Sequence, residues 1–500
     1  MRVLITIFLT FGLSQTIQAQ SSPESAFETL LENLFTQQDE DVAYEEQYEI
    51  LYQLYTQPVN LNQADEEELQ ELFFLSSRQI NNLLHYRQRY GNLRTAYELQ
   101  FIPAFDPATI QQMLPFITVN AVPVDTLSWA ERWQRADKLL ILRQATTVET
   151  KRGFIPRDML ADPSSSTPFI GSKPQLYTRL RVSRRNDFSL GLTLEKDAGE
   201  AIQWNPHRSQ YGSDFQSYHL QVQDRGALQN LLIGDYSLQF GQGLLLGQGF
   251  NLGKSAFALT SVGRTRSQVR PYTSSTESGF FRGVTATIQQ DIRKMQLEFT
   301  PFVSNQWLDA KLRNNFDSSL YFRSLQTSGW HRTENERSSQ DQVREQVVGG
   351  NVLIKNRRRN GQIGVSYVRT KFNHTWQRSD ELRNRHEFSG KVNDAWGVFG
   401  NYRYRHYHFF GEATRSASGG WGAIGGLSTS LSSTVEMAWV LRNYSPNFHS
   451  FYGNALSESS RPINERGFYW GLRMEPFKKA TLTAYYDYFR FPWLRFRVDA

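Results

Sequence analysis

Residues 176–195 read LYTRLRVSRRNDFSLGLTLE, with apolar and polar side chains alternating on either side of a polar turn at residues 185–187. Successive side chains of a β-strand point to opposite faces of its sheet, so the alternation predicts a hairpin with one apolar and one polar face. A soluble antiparallel sheet has the same pattern. The hairpin therefore predicts β-structure, and the rest of the chain must distinguish a soluble sheet from a membrane barrel.

The alternation recurs on both sides of this hairpin and predicts fifteen strands. They span residues 138–150, 175–184, 187–197, 215–223, 228–240, 281–290, 293–304, 346–355, 362–373, 393–404, 407–416, 419–430, 434–443, 467–475 and 480–491. Short and long connections alternate, with 417–418 as the one brief connection among the long ones, so the long connections lie at one end of the strands. Outer-membrane barrels combine short periplasmic turns with long extracellular loops in this way. We therefore predict a mainly β fold, a transmembrane antiparallel β-barrel of about 16 strands.

Fifteen is an odd number, whereas bacterial barrels normally close with an even number of strands. The chain ends in FPWLRFRVDA (residues 491–500), which has the character of a loop rather than of a closing strand. We therefore expect the sequence to be truncated at its C-terminus; a strand count that is wrong by one is the alternative.

The first residues have the pattern of a secretory signal peptide. Arg2 precedes an apolar run that ends near Leu13, and a polar segment leads to a cleavage point after Ala19. The chain has no cysteine, which excludes disulfides, thiolate metal sites and cysteine nucleophiles. Its 23 Tyr and 34 Phe suit the aromatic girdles of a barrel. We expect an outer-membrane location, and a soluble secreted β-protein is the alternative.

Charge divides the chain into two parts. Residues 21–120 contain 16 Asp or Glu and 4 Lys or Arg, a net charge of −12. Because Arg2 contributes +1, the +6 of the whole chain then leaves +17 for residues 121–500. This contrast indicates two domains. The predicted segments are a signal peptide (1–19), a helical extension (20–57), an all-α domain (58–120), a linker (121–137) and the barrel (138–500).

Residues 59–64 (VNLNQA), 67–72 (EELQEL) and 80–87 (INNLLHYR) are followed by YGNL at 90–93 and LPFI at 114–117. These segments resemble a helix-hairpin-helix module, similar to that of the periplasmic DNA receptors of bacterial competence. The resemblance covers residues 58–119. It implies DNA contact through glycine-rich hairpins, whose backbone N–H groups approach a phosphate.

The residues themselves argue against DNA binding through this module. The first hairpin spans residues 73–78 and the second residues 103–106, and neither keeps the paired glycines. Asp106 stands where a phosphate would lie, and an acidic domain repels a polyanion. The favoured interpretation is a scaffold for a periplasmic protein partner, with Phe73, Phe74 and Phe105 as core or as partner contacts. The candidate nucleic-acid-binding residues are Ser76, Ser77, Arg78, Arg87, Arg89 and Arg94.

Four further segments carry a second resemblance. They are GDYSLQFGQGL (234–244), FGEA (410–413), LRNYSP (441–446) and YDYFRFPW (486–493). They resemble an uncharacterised family of exported Bacteroidota proteins that pair a helix-hairpin-helix module with an outer-membrane barrel. This resemblance implies an outer-membrane location and no particular activity.

Strand alternation also places seven charged side chains in the interior of the predicted barrel. They either pair with one another and stiffen the wall or line a water-filled path, which the positive charge would make favourable to anions. These lumen-lining candidates are Arg179, Arg181, Glu195, Glu298, Arg403, Glu436 and Arg442.

Sequence motifs for catalysis are missing. The Gly253-Lys254-Ser255 segment lacks the first glycine of a phosphate loop, and the chain contains no Gly-x-Ser-x-Gly and no His-Glu-x-x-His. We expect no enzyme activity, no cofactor, no metal and no nucleotide.

The predicted function is transport or assembly at the outer membrane, and DNA uptake is its most specific form. The alternative is a non-conducting barrel, plugged by the 241–280 loop, whose acidic domain docks a periplasmic protein.

Overall fold

The computed structural model describes residues 54–55, 58–64, 66–69, 72, 75, 77–119, 127–155, 159, 167–205, 210–248, 262–263, 267–315, 318–356, 360–432, 434–477 and 480–495. The predicted signal peptide, nearly all of the helical extension, Phe73, Phe74, Ser76 and residues 253–255 lie outside this set. Within it, no helix is both long enough and apolar enough to cross a membrane.

Fifteen long strands in the described residues form one antiparallel sheet, which we call the wall. Labelled β1 to β15 in chain order, they are Asp137–Ala145, Gln175–Arg184, Phe188–Lys196, Phe215–Arg225, Leu228–Gln239, Phe281–Ile292, Met295–Leu308, Val343–Asn356, Gly361–Trp376, Gly390–Tyr404, Tyr407–Ser416, Trp421–Ser430, Val435–Tyr444, Glu465–Phe477 and Ala480–Arg490. Each strand pairs with its neighbours in the chain. They coincide with the fifteen predicted segments to within a few residues, which confirms the predicted mainly β, antiparallel fold.

The connections are sorted by length as the sequence predicts. Short turns contain residues with left-handed backbone, namely Asn186, Asp224, Arg293 and Arg405 with φ between 52° and 55°, the conformation that tight hairpins need. The long connections lie at the other end of the wall. Two of them contain small hairpins, Gln203–Asn205 with Gln210–Gly212 and Ala310–Asn314 with Leu320–Leu325. Sequence analysis missed these hairpins because their strands are too short to sustain an alternating pattern.

Strands β1 and β15 are the two edges of the wall. Among the described residues no ladder joins them, and most of their side chains are exposed. The first strand also ends at Ala145, five residues before its predicted end. The predicted C-terminal truncation stays a prediction.

The outer and inner faces of the wall differ in the way that alternation predicts. In β8, Val348 is 54% exposed, whereas its neighbour Val347 is fully buried. On the outer face, the register of β10 to β15 places large side chains in one row, namely Tyr402, Phe409, Leu427, Trp439, Trp470 and Tyr486. An apolar outer face with a band of aromatic rings is suited to a lipid surface.

A small helical module precedes the wall. It contains α1 (Glu66–Leu69), α2 (Ser77–Tyr90), a 3-10 helix (Ala96–Phe101) and α3 (Pro107–Met113), and a parallel pairing of Val59–Asn60 with Ile117–Thr118 brings its two ends together. The side chains with no exposure form a core of their own: Val59, Leu61, Leu69, Leu72, Leu83, Leu99, Met113 and Phe116. Phe105 packs on this core, in agreement with the core alternative for that residue.

The predicted linker (121–137) contains a short helix, α4 (Trp129–Gln134). Ser128 and Glu131 form a capping box at its start, which supplies partners to backbone N–H groups there. Arg132 on this helix donates to Asp187 in the β2–β3 turn at 2.7 Å. The helix therefore fastens the segment between the module and the wall to the short-turn end.

A buried ion network joins the last three strands. The guanidinium of Arg442 on β13 donates to Glu465 on β14 at 2.6 Å, and to both carboxylate oxygens of Asp487 on β15 at 2.8 and 3.0 Å. The side chains of Arg442 and Glu465 have no exposure. Removal of one partner from such a network leaves an uncompensated charge in a medium of low dielectric.

We therefore expect Arg442→Leu to lower the free energy of unfolding by about 3–5 kcal/mol. Urea unfolding of the detergent-refolded protein, followed by far-UV circular dichroism, measures this loss. Arg369→Leu is the matched control, since Arg369 pairs with Asp394 on the exposed outer face (3.7 Å) and should contribute less than about 1 kcal/mol. Equal effects of the two substitutions would contradict the prediction.

Candidate functional site

The connection after β5 turns back into the interior of the wall. Gly241 and Gly243 have left-handed backbone (φ 60° and 81°), which permits the tight turn there. Glu412 on β11 accepts hydrogen bonds from the backbone N–H groups of Gln242, Leu244 and Leu245, at 2.7, 3.1 and 3.3 Å. Its carboxylate thus anchors residues 240–248, which we call the plug, to the inner face.

The plug fills the interior with apolar side chains. Phe240, Leu245 and Leu246 pack in one buried cluster with inward side chains of β5 to β10, including Tyr236, Phe281, Phe302, Val347, Val368 and Phe399. Leu244 packs in a second cluster with inward side chains of β11 to β14, including Phe410, Ile424, Val440 and Tyr469. The plug and its surroundings therefore contact ten consecutive strands, β5 to β14.

The connection between β13 and β14 also enters the interior. Ser450 donates through its hydroxyl to the carbonyl of Leu244 at 2.6 Å, and the backbone N–H of Asn454 donates to the carbonyl of Gly243 at 2.8 Å. Tyr452 donates to Glu345 on β8 at 2.9 Å. Two long connections are thus bound to each other and to the wall inside the sheet.

The seven predicted lumen-lining residues all occupy inward positions of their strands, and none of them is without a polar contact. Arg179 donates to the carbonyl of Thr273, a residue of the β5–β6 connection. Glu298 pairs with Lys355 at 2.9 Å, and Arg403 donates to Asn81 of the helical module at 2.7 Å. The others are Arg181, which is buried, Glu195, which accepts from Gln175, Glu436, which faces Arg473 across the ladder, and Arg442 in the buried network.

The long connections also bring five carboxylates around one histidine. Nδ1 of His331 lies 2.5 Å from Asp214, its Nε2 lies 2.6 Å from Asp309, and its backbone N–H donates to Glu200 at 2.9 Å. Glu277 and Asp341 lie close enough to interact with these charges. We call the six residues the acid–histidine cluster.

Burial and mutual repulsion make this cluster retain protons. Burial, together with the charge of Asp214, raises the pKa of Glu277 to about 10 and that of Glu200 to about 7. Burial and the charge of Asp309 raise the pKa of Asp341 to about 6. Burial alone would lower the pKa of His331, but its hydrogen bonds to Asp214 and Asp309 outweigh this effect and raise it to about 11. At neutral pH His331 is therefore the cation that compensates the carboxylates.

Glu200, Asp214 and His331 offer ligand atoms within 4.8 Å of one another, a separation that could suit a metal ion. Both ring nitrogens of His331 already face carboxylates, so in this arrangement the histidine acts as a protonated counter-charge. Sequence analysis missed the cluster because its members come from three separate connections that share no motif.

The helical module lies against the short-turn end of the wall. Arg78 donates to the carbonyl of Ser432 in the β12–β13 turn at 2.9 Å. Glu68 lies 3.7 Å from Arg185 in the β2–β3 turn. With the Asn81–Arg403 contact near the β10–β11 turn, the module is attached at three separate turns.

Two of the candidate DNA-binding residues are engaged within the chain. Arg78 contacts the wall, and Arg87 donates to the carbonyls of Asn62 and Ala64 inside the module. Arg89 and Arg94 are exposed. Ser77 begins α2, and Ser76 lies outside the described residues.

The second hairpin of the module has no open phosphate site. The carboxylate of Asp106 accepts the N–H of Thr109 at 2.8 Å and so caps α3. Gln79 and Asn82 on α2 donate to the carbonyls of Ala104 and Pro103 at 2.9 and 2.7 Å. The hairpin is thus held by its own side chains, and a carboxylate occupies the place where a helix start could meet a phosphate.

The helix-hairpin-helix motif family matches residues 55–118. A sequence comparison with curated proteins found no match.

Several solved structures of outer-membrane proteins are similar to the chain over most of its length. OmpT, an outer membrane protein of Vibrio cholerae, has 10% identity, covers 70% of this chain and 95% of its own, and gives a TM-score of 0.25. The anion-selective porin of Comamonas acidovorans has 10% identity, coverages of 65% and 80%, and a TM-score of 0.30. Wzi of Escherichia coli, described as a carbohydrate-binding β-barrel involved in capsule assembly, has 11% identity, coverages of 72% and 72%, and a TM-score of 0.31.

The acid–histidine cluster predicts a pH dependence of the long connections. Groups whose pKa is raised by folding stabilise the folded state at low pH, and that contribution is lost as pH rises through the folded value. The raised pKa values of Glu200, Asp341, Glu277 and His331 all act in this direction, so the connections should loosen between pH 6 and pH 10. Hydrogen exchange of peptides from residues 197–214 and 327–341, corrected for intrinsic rates, measures this change.

Glu277→Gln keeps the shape of the side chain without its charge, and should remove much of the loosening above pH 7. Glu381→Gln, in another long connection and paired with Arg383 in an exposed position, is the control and should leave the profile unchanged. A profile that stays flat in the wild-type protein would refute the assignment.

Proposed function

We propose that the chain is a non-conducting outer-membrane barrel protein with an assembly role, whose helix-hairpin-helix module docks a periplasmic protein partner. The observation that carries the proposal is the filled interior. The plug is anchored by Glu412, is hydrogen-bonded to the connection between β13 and β14, and belongs to two buried clusters that include side chains of ten strands. Passage of a polymer through this interior would require the plug to leave.

The sorted connections and the apolar outer face support an outer-membrane location. In barrels of this kind the short turns face the periplasm. The module contacts short turns through Arg78, Glu68 and Asn81, and its position therefore supports a periplasmic orientation.

The charge of the extension and the module together indicates the kind of partner. Residues 21–120 have a net charge of −12, and two of their four arginines are engaged by backbone carbonyls. A segment with this net charge attracts a protein with a basic face and repels a nucleic acid. The partner that fits best is therefore a basic periplasmic protein.

The refolded protein should show no steady conductance in planar lipid bilayers, because the interior is filled. Replacement of residues 241–263 by a short Gly-Ser linker should produce a steady channel. Glu412→Ala, which removes the acceptor of three N–H groups, should produce intermittent openings.

Glu298→Ala is the control for the conductance experiment, since Glu298 pairs with Lys355 in the wall and does not hold the plug. It should remain closed. A steady current through the wild-type protein would overturn the non-conducting function.

We also expect the full-length protein in detergent to leave duplex DNA unshifted in gel electrophoresis, even at low salt, where phosphate contacts are strongest. A known DNA-binding helix-hairpin-helix protein serves as the positive control. If the wild-type protein shifts the DNA, and if Arg89→Ala and Arg94→Ala abolish that shift, the partner of the module is DNA rather than a protein.

A further inference from the structure

A groove of about 1120 Å³ runs along the outer face of the wall, over β9 to β15. Its lining is mostly apolar and belongs to the face that the proposed function exposes to lipid. The groove is a local depression, because neighbouring parts of the same face carry large side chains such as Tyr402, Phe409 and Leu441.

The floor of the groove consists of outward positions without large side chains. Gly400, Gly411 and Gly425 lie side by side on β10, β11 and β12 in the ladder register. The next row toward the long connections contains Ala413 and Ala423, which also face each other. Three adjacent strands thus present bare backbone or methyl groups where the rest of the face presents bulky side chains.

These glycines are not explained by backbone conformation. None of the three has a positive φ. A Cβ added to Gly425 would meet nothing closer than the carbonyl of Phe410 at 3.6 Å, an ordinary contact. The wall could therefore accommodate a side chain at this position, and the consequence of glycine there is the space that it leaves outside the wall.

Two arginines stand at the end of the groove nearest the long connections. Arg466 on β14 and Arg490 on β15 are directly opposite each other in the antiparallel ladder, and both are exposed. Like charges in this position repel each other. Within the described part of the chain, neither guanidinium forms an ion pair. Two facing guanidinium groups without a carboxylate form a site that is complementary to a phosphate.

We propose that this groove binds a phosphorylated, acylated lipid of the outer leaflet, with acyl chains on the glycine and alanine floor and a phosphate between Arg466 and Arg490. The inference rests on the proposed outer-membrane function and adds its lipid ligand. The long connections face outward in such a barrel, so the arginines lie at the level of the outer-leaflet headgroups. The apolar floor and the paired cations match the two parts of one lipid molecule.

Native mass spectrometry of the full chain in detergent tests the proposal with two probes, bis-phosphorylated lipid A and the same lipid after dephosphorylation. The wild-type protein should bind the phosphorylated probe more tightly. The double variant Arg466→Gln/Arg490→Gln should lose this preference and bind the phosphorylated probe about tenfold more weakly than the wild type does. Gly425→Leu, which fills the floor, should weaken both probes, and Gly425→Ala should have a smaller effect.

Arg369→Gln is the matched control, because Arg369 is also an outward arginine but already faces Asp394. It should bind both probes like the wild type. Heat-modifiable migration in gel electrophoresis verifies that each variant is folded. Wild-type binding by the double arginine variant, or by Gly425→Leu, would overturn the proposal. The proposal would also be overturned if the wild-type protein formed a detergent-stable dimer and Gly425→Leu dissociated this dimer without affecting lipid binding. In that case a second copy of the chain would occupy the groove.

The outcomes also separate this inference from the proposed function. A protein that requires detergent and does not conduct, but shows no preference for the phosphorylated probe, overturns the lipid site alone. Recovery of the protein in the aqueous phase without detergent overturns the outer-membrane function and the lipid site together.

Discussion

The carboxylate of Glu412 is the contact on which the interior of this protein depends. A charge buried inside a sheet is costly unless hydrogen bonds satisfy it. The N–H groups of a tight turn that leaves its ladder are equally costly when they lack acceptors. In this structure each group compensates the other, because Glu412 accepts three N–H groups of the plug. The large inward side chains, such as Phe302 and Phe399, can then pack against the plug.

The wall was predictable from the sequence because strand pattern and connection length are local properties. An apolar residue at every second position predicts a strand wherever one face of the sheet contacts lipid. Polar residues such as Asn186 and Asp224 mark the short turns between the strands. The ends of strands were less certain. The first strand stops at Ala145, and the polar residues that follow carried the predicted alternation beyond it.

Contacts between distant segments were not predictable in the same way. His331 meets Asp214 only because two long connections converge, and its contact with Asp309 joins distant parts of one of them. The groove becomes visible only once the register places Gly411 beside Gly425. Sequence analysis did place charged residues such as Arg442 on the inner face. It could not decide between an open path and paired charges, since this depends on which partner lies opposite each residue. In the module, the absence of glycines was visible, but the capping role of Asp106 and the internal contacts of Arg87 were not.

The contact between Ser450 and Leu244 joins residues that are 206 positions apart in the chain. Contacts of such long sequence separation form slowly, since a large loop must close before they can stabilise anything. The plug therefore cannot be complete until the β13–β14 connection has been synthesised and has reached the interior. Until then, Phe281, Phe302 and the other inward rings of the wall lack the plug as a packing partner and are open to solvent or to other chains. Folding of this protein is thus a problem of timing, in which the half-assembled sheet must be kept from aggregating until its own distant segment fills it.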